Sequence, residues 1–280
     1  MTSSSMSSAV PAAAAERELS LVNITAGYGT HAVVFDVNLN FAPGTISCLI
    51  GPNGAGKSTV LKAMFGDARM FAGEVFLGDE EVRPTGRDLV PRGVSYVPQQ
   101  ANVFPSLTVA ENLEIGAYVR QGHGGVDHVL ALFPELRDLL RRHASKLSGG
   151  QQRMVAIGRA LMSGPDFLLL DEATSGLAPA VAQTLWRRLS QLAATGVGVI
   201  AVEQNVDTAL ELASEVSILV SGSIAFSGGV ADVTPELLED AFLGSAPRVE
   251  PEAESSDADA ARNGELGVPE NTNDGGDRPA

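Results

Sequence analysis

Gly51-Pro52-Asn53-Gly54-Ala55-Gly56-Lys57-Ser58-Thr59 is the stretch that decides the fold of this 280-residue chain. It fits the phosphate-loop pattern, in which two glycines with four residues between them are followed by Lys and Ser. An apolar run at 45–50 predicts a strand before it, and helical spacing predicts a helix over 57–65. Such a loop binds phosphate through backbone N–H groups, with Lys57 on the β- and γ-phosphates and the Ser58 hydroxyl on Mg²⁺. The context predicts a nucleoside triphosphate site.

A second motif, Leu147-Ser148-Gly149-Gly150-Gln151, lies about 90 residues further along and opens a predicted helix over 151–162. Ser148 and Gln151 have the spacing of a capping box, which explains those two residues. It leaves the two consecutive glycines unexplained. A glycine-exposed helix N-terminus is an anion site, so the motif predicts a second phosphate-binding element, whose ligand we expect to be the nucleotide of another copy.

A third motif is the apolar run at 167–170, which ends in Asp171 and Glu172. Acidic residues after a strand are usually solvated loop residues when they stand alone. Ligands of parallel sheets, however, bind at the carboxyl ends of the strands, so the phosphate loop changes the interpretation. We expect Asp171 to hold Mg²⁺ through its water shell, and Glu172 to orient and polarise the attacking water.

Charge and composition limit the possible partners. Acidic residues outnumber basic ones by 34 to 19, and the net charge of −15 argues against nucleic acid, because affinity for its backbone needs clustered Lys and Arg. No run approaches the 18 or so apolar residues of a membrane helix, and no secretory signal is recognisable, so we expect a cytoplasmic chain. Residues 1–17 are predicted to form a disordered arm, and 245–280 a disordered acidic tail.

The other predicted elements describe an α/β domain with a helical insert. Two short β-type runs, separated by Gly27-Tyr28-Gly29, predict an antiparallel start. Helical spacing predicts an insert within about 101–162. The expected elements are strands at 19–24, 33–41, 167–170 and 197–202, helices at 108–119, 126–140, 180–193 and 235–242, and a hairpin of 216–220 with 223–226. The strands around the long later helix predict a parallel sheet.

The three motifs, in this order and with a helical insert before the second, resemble the ATP-binding cassette of ABC transporters. The resemblance implies, over 18–244, an α/β fold of the P-loop NTPase class with a mixed β-sheet core. An N-terminal antiparallel β subdomain and an α-helical subdomain complete that fold. The resemblance also implies a head-to-tail dimer of cassettes, with two ATP molecules sandwiched between the phosphate loop of one and the signature motif of the other.

The resemblance assigns roles to single residues. Tyr28 falls at the aromatic position that stacks on adenine, although a turn residue within Gly-Tyr-Gly is the plainer interpretation. Gln99 matches the glutamine that senses Mg²⁺ and the attacking water and that links the core to the insert. Glu172 matches the catalytic glutamate. The residues that match signature contacts with the partner's ATP are Ser148, Gly149, Gly150 and Gln151.

Two positions depart from the common family pattern. Gln204 stands where most cassettes have a histidine on the γ-phosphate, and an amide cannot carry the proton of an imidazole. Ala178 stands where an Asp commonly marks the loop between cassettes. With these residues, the chain resembles one of the two cassettes of the branched-chain amino-acid uptake family, whose relatives serve urea and short-chain amides. That resemblance implies a heterodimer whose other ATPase subunit keeps the histidine, and slower hydrolysis at this chain's phosphate loop.

The function implied is that of an importer ATPase with ATP and Mg²⁺ as cofactors, located in the cytoplasm on the inner face of the membrane. Its implied partners are the second ATPase, two integral membrane permease subunits and, through them, an extracytoplasmic solute-binding protein. A rival is a soluble cassette ATPase that acts on DNA or ribosomes. The acidic balance, the single cassette and the short span between Lys57 and Asp171 argue against it.

The remaining candidates for chemistry are expected to be structural. Cys48 lies in an apolar run and is predicted to be buried, and Trp186 is predicted to pack in the core. The four histidines, His31, His123, His128 and His143, have no carboxylate or second histidine at metal-ligand spacing, so we expect surface or turn residues.

Overall fold

A computed structural model describes residues 17–100, 103–120 and 125–243 of the chain. The predicted acidic tail lies outside these residues, as does the predicted arm except for Arg17. The strands are β1 (Leu19–Tyr28), β2 (His31–Phe41), β3 (Ile46–Ile50), β4 (Arg69–Leu77), β5 (Glu80–Val82), β6 (Val94–Val97), β7 (Phe167–Asp171), β8 (Gly198–Val202), β9 (Glu215–Val220) and β10 (Ser223–Gly229). The α-helices are α1 (Lys57–Phe65), α2 (Gly86–Leu89), α3 (Val109–Ala117), α4 (Val126–Leu132), α5 (Gly149–Leu161), α6 (Pro179–Ala193), α7 (Val206–Leu212) and α8 (Pro235–Leu243).

The central sheet of the described residues has the strand order β10-β9-β3-β8-β7-β6. β3 pairs in parallel with β8 and β9, and β7 pairs in parallel with β8 and β6. β10 is antiparallel to β9 across a turn at Ser221 and Gly222, both with positive φ. The predictions of a parallel sheet and of this hairpin are confirmed. Every residue of β3, β7 and β8 is buried, as expected for parallel strands covered on both faces.

A second, antiparallel sheet has the order β2-β1-β4-β5. The predicted antiparallel start is therefore confirmed, but the predicted break at Gly27-Tyr28-Gly29 is wrong in its placement. β1 continues through Tyr28, and its turn to β2 lies at Gly29 and Thr30. Gly27 lies inside β1, where a Cβ would be 2.0 Å from the carbonyl oxygen of His31 in β2. A glycine is needed here because the two strands approach closely, and not because the chain turns.

The predicted helical insert is present between β6 and β7, but its second helix is shorter than predicted. α4 ends at Leu132, and a 3₁₀ helix follows over Pro134–Leu139. Proline has no N–H for the α-helical ladder and disfavours helical geometry in the residue before it. Phe133 accordingly has φ −123° and ψ 71°. The apolar spacing over 126–140 therefore belongs to two short helices.

Two hydrophobic clusters cover opposite faces of the central sheet. Along β7, Leu168 and Leu170 belong to the cluster with α3, α5 and α6, whereas Phe167 and Leu169 belong to the cluster with α1 and the antiparallel sheet. This alternation follows from the two-residue period of a strand. The sheet is thereby held between both layers, and the carboxyl ends of β3, β6, β7 and β8 meet at one edge.

Close packing of α3 on α5 depends on Gly116. A Cβ at this position would lie 1.9 Å from the carbonyl oxygen of Arg159 in α5. We expect Gly116→Ala to lower the free energy of unfolding by about 1–3 kcal/mol, because overpacking outweighs the better helix propensity of alanine. Urea unfolding of both proteins measures the change. Gly125→Ala is the control, since its Cβ would meet nothing within 4 Å; equal or higher stability of Gly116→Ala would contradict this account of the helix contact.

Candidate active site

The phosphate loop connects β3 to α1, as predicted. Gly51, Gly54 and Gly56 have φ of 148°, 81° and 105°, a region that favours glycine. Gly51 also lies against β9, where a Cβ would be 2.1 Å from the carbonyl oxygen of Leu219. The loop glycines are thus required by backbone conformation and by close approach, and the N-terminus of α1 faces the loop.

Lys57 extends its side chain back over this loop. Its Nζ donates hydrogen bonds to the carbonyl oxygens of Gly51 at 2.8 Å and Pro52 at 3.0 Å. Burial lowers the pKa of Lys57, while the charges of Glu172 and Asp171 oppose that shift. The ammonium therefore lies between the loop and the two carboxylates at the end of β7.

Asp171 is 1% exposed at the carboxyl end of β7. The Ser58 hydroxyl donates to its Oδ1 at 2.6 Å, and the Tyr96 hydroxyl, at the end of β6, donates to its Oδ2 at 3.2 Å. Burial, followed by the charge of Asp171, raises the pKa of Tyr96. A hydroxyl and a carboxylate that converge on one point form an oxygen donor set of the type that Mg²⁺ prefers, so these residues fit that ion.

Glu172 follows directly and has a positive φ of 50°. Its Oε2 accepts a hydrogen bond from Nε2 of Gln99, and its Oε1 accepts one from Nε2 of Gln204. Three segments that follow β6, β7 and β8 therefore meet at one carboxylate that is only 8% exposed. The structure brings together the three side chains that the sequence predicts as catalytic.

Arg153 is a site residue that the sequence analysis missed. It lies in the signature helix α5 and is 8% exposed. Its guanidinium donates to the carbonyl oxygens of Pro98 at 3.1 Å, Gln99 at 3.1 Å and Glu172 at 3.2 Å. From the sequence alone, an arginine in an amphipathic helix is expected to point into solvent. Its actual partners are main-chain carbonyls distant in sequence, which no local sequence pattern indicates.

Glu203 is the second residue that the sequence analysis missed. It is 3% exposed beside Gln204 and accepts a hydrogen bond from the Thr174 hydroxyl at 3.0 Å. Burial raises its pKa to about 7, against the lowering effect of that hydrogen bond. The acid after β8 is thus a buried group that ties the segment after β7 to the segment carrying Gln204.

The signature motif forms the capping box that its spacing predicts. Ser148 N–H donates to Oε1 of Gln151 at 3.0 Å, and Gln151 N–H donates to Oγ of Ser148 at 3.3 Å. The glycines differ from each other. A Cβ on Gly150 would lie 3.1 Å from Val181, whereas a Cβ on Gly149 would meet nothing within 4 Å. Packing within the described residues therefore accounts for Gly150 and leaves Gly149 open towards the surroundings.

Tyr28 lies at the end of β1 beside the phosphate loop. Its hydroxyl is 3.5 Å from Oγ1 of Thr59 in α1, and 46% of the residue is exposed. Ala178 stands at the N-cap of α6, where its methyl group accepts no hydrogen bond. A cavity of about 700 Å³ opens beside Glu172 and Gln204, between α6 and α7. Both of these side chains line it, and no residue of the phosphate loop does.

The residues expected to be structural lie as predicted where they are described. Cys48 is 1% exposed and Trp186 is 0% exposed. His31, His128 and His143 are exposed, and His123 lies outside the described residues.

Comparison with known proteins identifies the family. The ABC transporter family pattern matches residues 34–175. A probable branched-chain amino acid transport ATP-binding protein LivF of Archaeoglobus fulgidus is 40% identical over 228 residues, which cover 79% of this chain and 94% of that protein. The chain belongs to the ATP-binding cassette family of ABC transporters. The high-affinity branched-chain amino acid transport ATP-binding protein BraG of Pseudomonas aeruginosa is 39% identical over 231 residues, which cover 81% of this chain and 99% of BraG.

Solved cassettes share its fold. The ADP conformation of a cassette of an ABC transporter has a TM-score of 0.69 at 25% identity, and the match covers 83% of this chain and 96% of the solved chain. A dimeric cassette in a post-hydrolysis state, bound to ADP and Pi, has a TM-score of 0.65 at 25% identity, covering 76% and 98%. The predicted P-loop fold with a mixed sheet and antiparallel subdomain is confirmed. None of the helices in the described part of the chain is long and apolar enough to cross a bilayer.

Glu203 makes the stability of the cassette depend on pH. The folded state keeps this carboxyl protonated up to about pH 7, whereas the unfolded chain ionises near its ordinary value of 4.5. The folded state binds more protons in this window, so its stability falls as pH rises from about 4.5 to about 7. Glu203→Gln retains an acceptor for Thr174 and removes the titration. Between pH 6 and pH 8, we expect the wild type to lose about 1 kcal/mol more than Glu203→Gln in urea unfolding. Equal losses would contradict the assignment.

Proposed function

We propose that this cassette is the ATP-hydrolysing subunit of an importer for branched-chain amino acids. The observation that carries hydrolysis is the Glu172 carboxylate, held by two amides at the carboxyl end of β7 beside the phosphate loop. The substrate class rests on the similarity to LivF and BraG along most of the chain.

ATP binding is assigned to the phosphate loop and Tyr28. The α- and β-phosphates lie on the backbone N–H groups of residues 53–59, and Lys57 leaves the carbonyls of its own loop to bind the β- and γ-phosphates. The exposed ring of Tyr28 stacks on the adenine. Mg²⁺ would be held by the Ser58 hydroxyl and the Gln99 side chain and, through its water shell, by Asp171, and it would neutralise charge on the phosphates.

Hydrolysis is assigned to Glu172, Gln99 and Gln204. Glu172 polarises a water that attacks the γ-phosphorus, the bond from that phosphorus to the bridging oxygen breaks, and ADP leaves with this oxygen. Each carboxylate oxygen has two lone pairs, so the two amides fix its orientation and leave acceptor capacity for the proton of the water. Gln204 donates a hydrogen bond to the γ-phosphate region without transferring a proton.

The signature half of the chain serves a second cassette. Ser148, Gly149, Gly150 and Gln151 bind the nucleotide on the partner's phosphate loop, which agrees with the open space at Gly149. The partner is a different ATPase subunit that retains the histidine. The pair docks on two integral membrane permease subunits at the cytoplasmic face of the membrane, and an extracytoplasmic solute-binding protein delivers the solute. Nucleotide-driven closure of the cassettes moves the permeases.

The domain boundaries belong to the same proposal. Residues 18–244 form the cassette, with its helical subdomain at about 101–162. The arm 1–17 and the acidic tail 245–280 flank it, and the tail is dispensable for ATP hydrolysis.

Two alternatives to this function differ in the support that the chain gives them. The resemblance that carries Gln204 extends to importers of urea or short-chain amides, which would use the same ATPase chemistry. A soluble cassette acting on nucleic acid or ribosomes is disfavoured, because the net charge of −15 opposes a phosphate backbone.

Solute uptake tests the function and its substrate together. In a strain that lacks this chain, we expect the wild type to restore uptake of labelled leucine and valine but not of urea. We expect Glu172→Gln, which keeps the size of the side chain but removes the base, to lower ATP hydrolysis at this chain's own phosphate loop by about 10²–10⁴-fold and to abolish uptake. Equal amounts of both proteins at the membrane are the control. Restored urea uptake alone would support the alternative importer, and stable ribosome or DNA binding in physiological salt would contradict import.

Unequal hydrolysis by the two cassettes tests the role of Gln204. In the purified transporter, we expect Gln204→Ala to lower total ATP turnover less than replacement of the partner's histidine by alanine. The reason is that the amide site hydrolyses more slowly and contributes the smaller share. Steady-state phosphate release measures both variants. The asymmetry is wrong if Gln204→Ala abolishes turnover while the histidine replacement has no effect.

A further inference from the structure

Arg153 connects three segments of the site through one guanidinium. Its own backbone belongs to α5, which begins at the signature glycines, and its donors reach the main chain at Pro98, Gln99 and Glu172. The planar arginine fork can serve several acceptors at fixed angles, which the single ammonium of lysine cannot do. These contacts therefore fix the positions of the three main-chain carbonyls relative to α5, in addition to placing a positive charge beside them.

These contacts form a closed ring with the hydrolytic side chains. The guanidinium donates to the main-chain carbonyl of Gln99, and the Gln99 side chain donates to the Glu172 carboxylate. The guanidinium also donates to the main-chain carbonyl of Glu172, which closes the ring. The φ of 50° at Glu172 makes this support necessary, because a non-glycine residue in that region is held by its surroundings.

Burial gives the ring its rigidity. Arg153 and Glu172 are each 8% exposed, so water has little access to compete for their hydrogen bonds. Burial lowers the pKa of Arg153, and the charges of Asp171, Glu203 and Glu172 oppose that shift. The cation is thus placed where it offsets the carboxylates at the end of β7 while all of its described hydrogen bonds go to main-chain carbonyls.

We propose that Arg153 is a positioning residue for this chain's own Glu172 and Gln99, so that the helix presenting the signature to one ATP also sets the hydrolytic geometry at the other. This inference rests on the proposed function, because it requires the two half-sites of the cassette to face different nucleotides. A purely structural role of Arg153 predicts a different result. If Arg153 only held α5 in place, its loss would disturb the signature and therefore hydrolysis at the partner's phosphate loop.

The two sites can be separated in the assembled transporter. Replacing the corresponding catalytic carboxylate of the second cassette leaves hydrolysis at this chain's phosphate loop, and Glu172→Gln in this chain leaves hydrolysis at the partner's. Arg153→Lys is introduced into each background, with Arg153→Met as a second variant that removes the charge. Arg159→Lys is the matched control, because this arginine lies on the same helix over the ring of Phe104, with 5.0 Å between Cζ and the ring centroid, away from Glu172.

We expect Arg153→Lys to lower kcat at this chain's phosphate loop by about tenfold, with KM for ATP and ATP-dependent association of the cassettes within about twofold of the wild type. Hydrolysis at the partner's phosphate loop stays within about twofold, and Arg159→Lys changes neither site. An equal loss at both sites, a loss confined to the partner's site, or wild-type kcat in Arg153→Lys and Arg153→Met would overturn the inference. Absence of ATP hydrolysis in the unmodified transporter would instead contradict the proposed function.

Discussion

The burial of two adjacent carboxylates at the end of β7 is the constraint on which the rest of the site depends. Asp171 and Glu172 are 1% and 8% exposed, and buried acids must find hydrogen bonds to offset lost hydration. Asp171 obtains them from Ser58 and Tyr96, and Glu172 from the amides of Gln99 and Gln204. The phosphate loop and the segments at the ends of β6 and β8 thus each supply a hydrogen-bond donor to these two carboxylates, which explains why the motifs occur together.

The signature differs from these motifs because its polar groups are satisfied locally. Its capping box pairs Ser148 with Gln151, and its first glycine faces open space, so nothing within the described residues uses the exposed end of α5. Two residues along from the capping box, Arg153 turns inward to the carboxylate pair. One helix therefore combines an outward-facing end with a buried anchor, which is the physical basis of the proposed link between two nucleotides.

The sequence predicts the elements whose signals are local. α1 is predicted to the residue, because the phosphate loop fixes its start, and β7 is recognisable from an unbroken apolar run. β4 is missed because most of its residues are exposed and show no alternation, and the end of α4 is missed because helical periodicity continues past Pro134. Within the site, Glu172 follows from its place after an apolar run and from family resemblance, whereas Gln99 and Gln204 follow from the resemblance alone. Arg153 does not, since its partners Gln99 and Glu172 are 54 and 19 residues away and are main-chain atoms without a sequence signal.

The central claim is that this chain contributes halves of two nucleotide sites and completes neither alone. Its most direct test is the number of ATP molecules that remain bound through gel filtration when Glu172→Gln and the matching replacement in the second cassette block hydrolysis. The account predicts two ATP per assembled transporter, no comparable retention by the isolated chain, and loss of the ATP on the partner's phosphate loop when Gly149→Glu places a charged side chain in the open space. Full retention of ATP by the isolated chain, or by the transporter with Gly149→Glu, would contradict it.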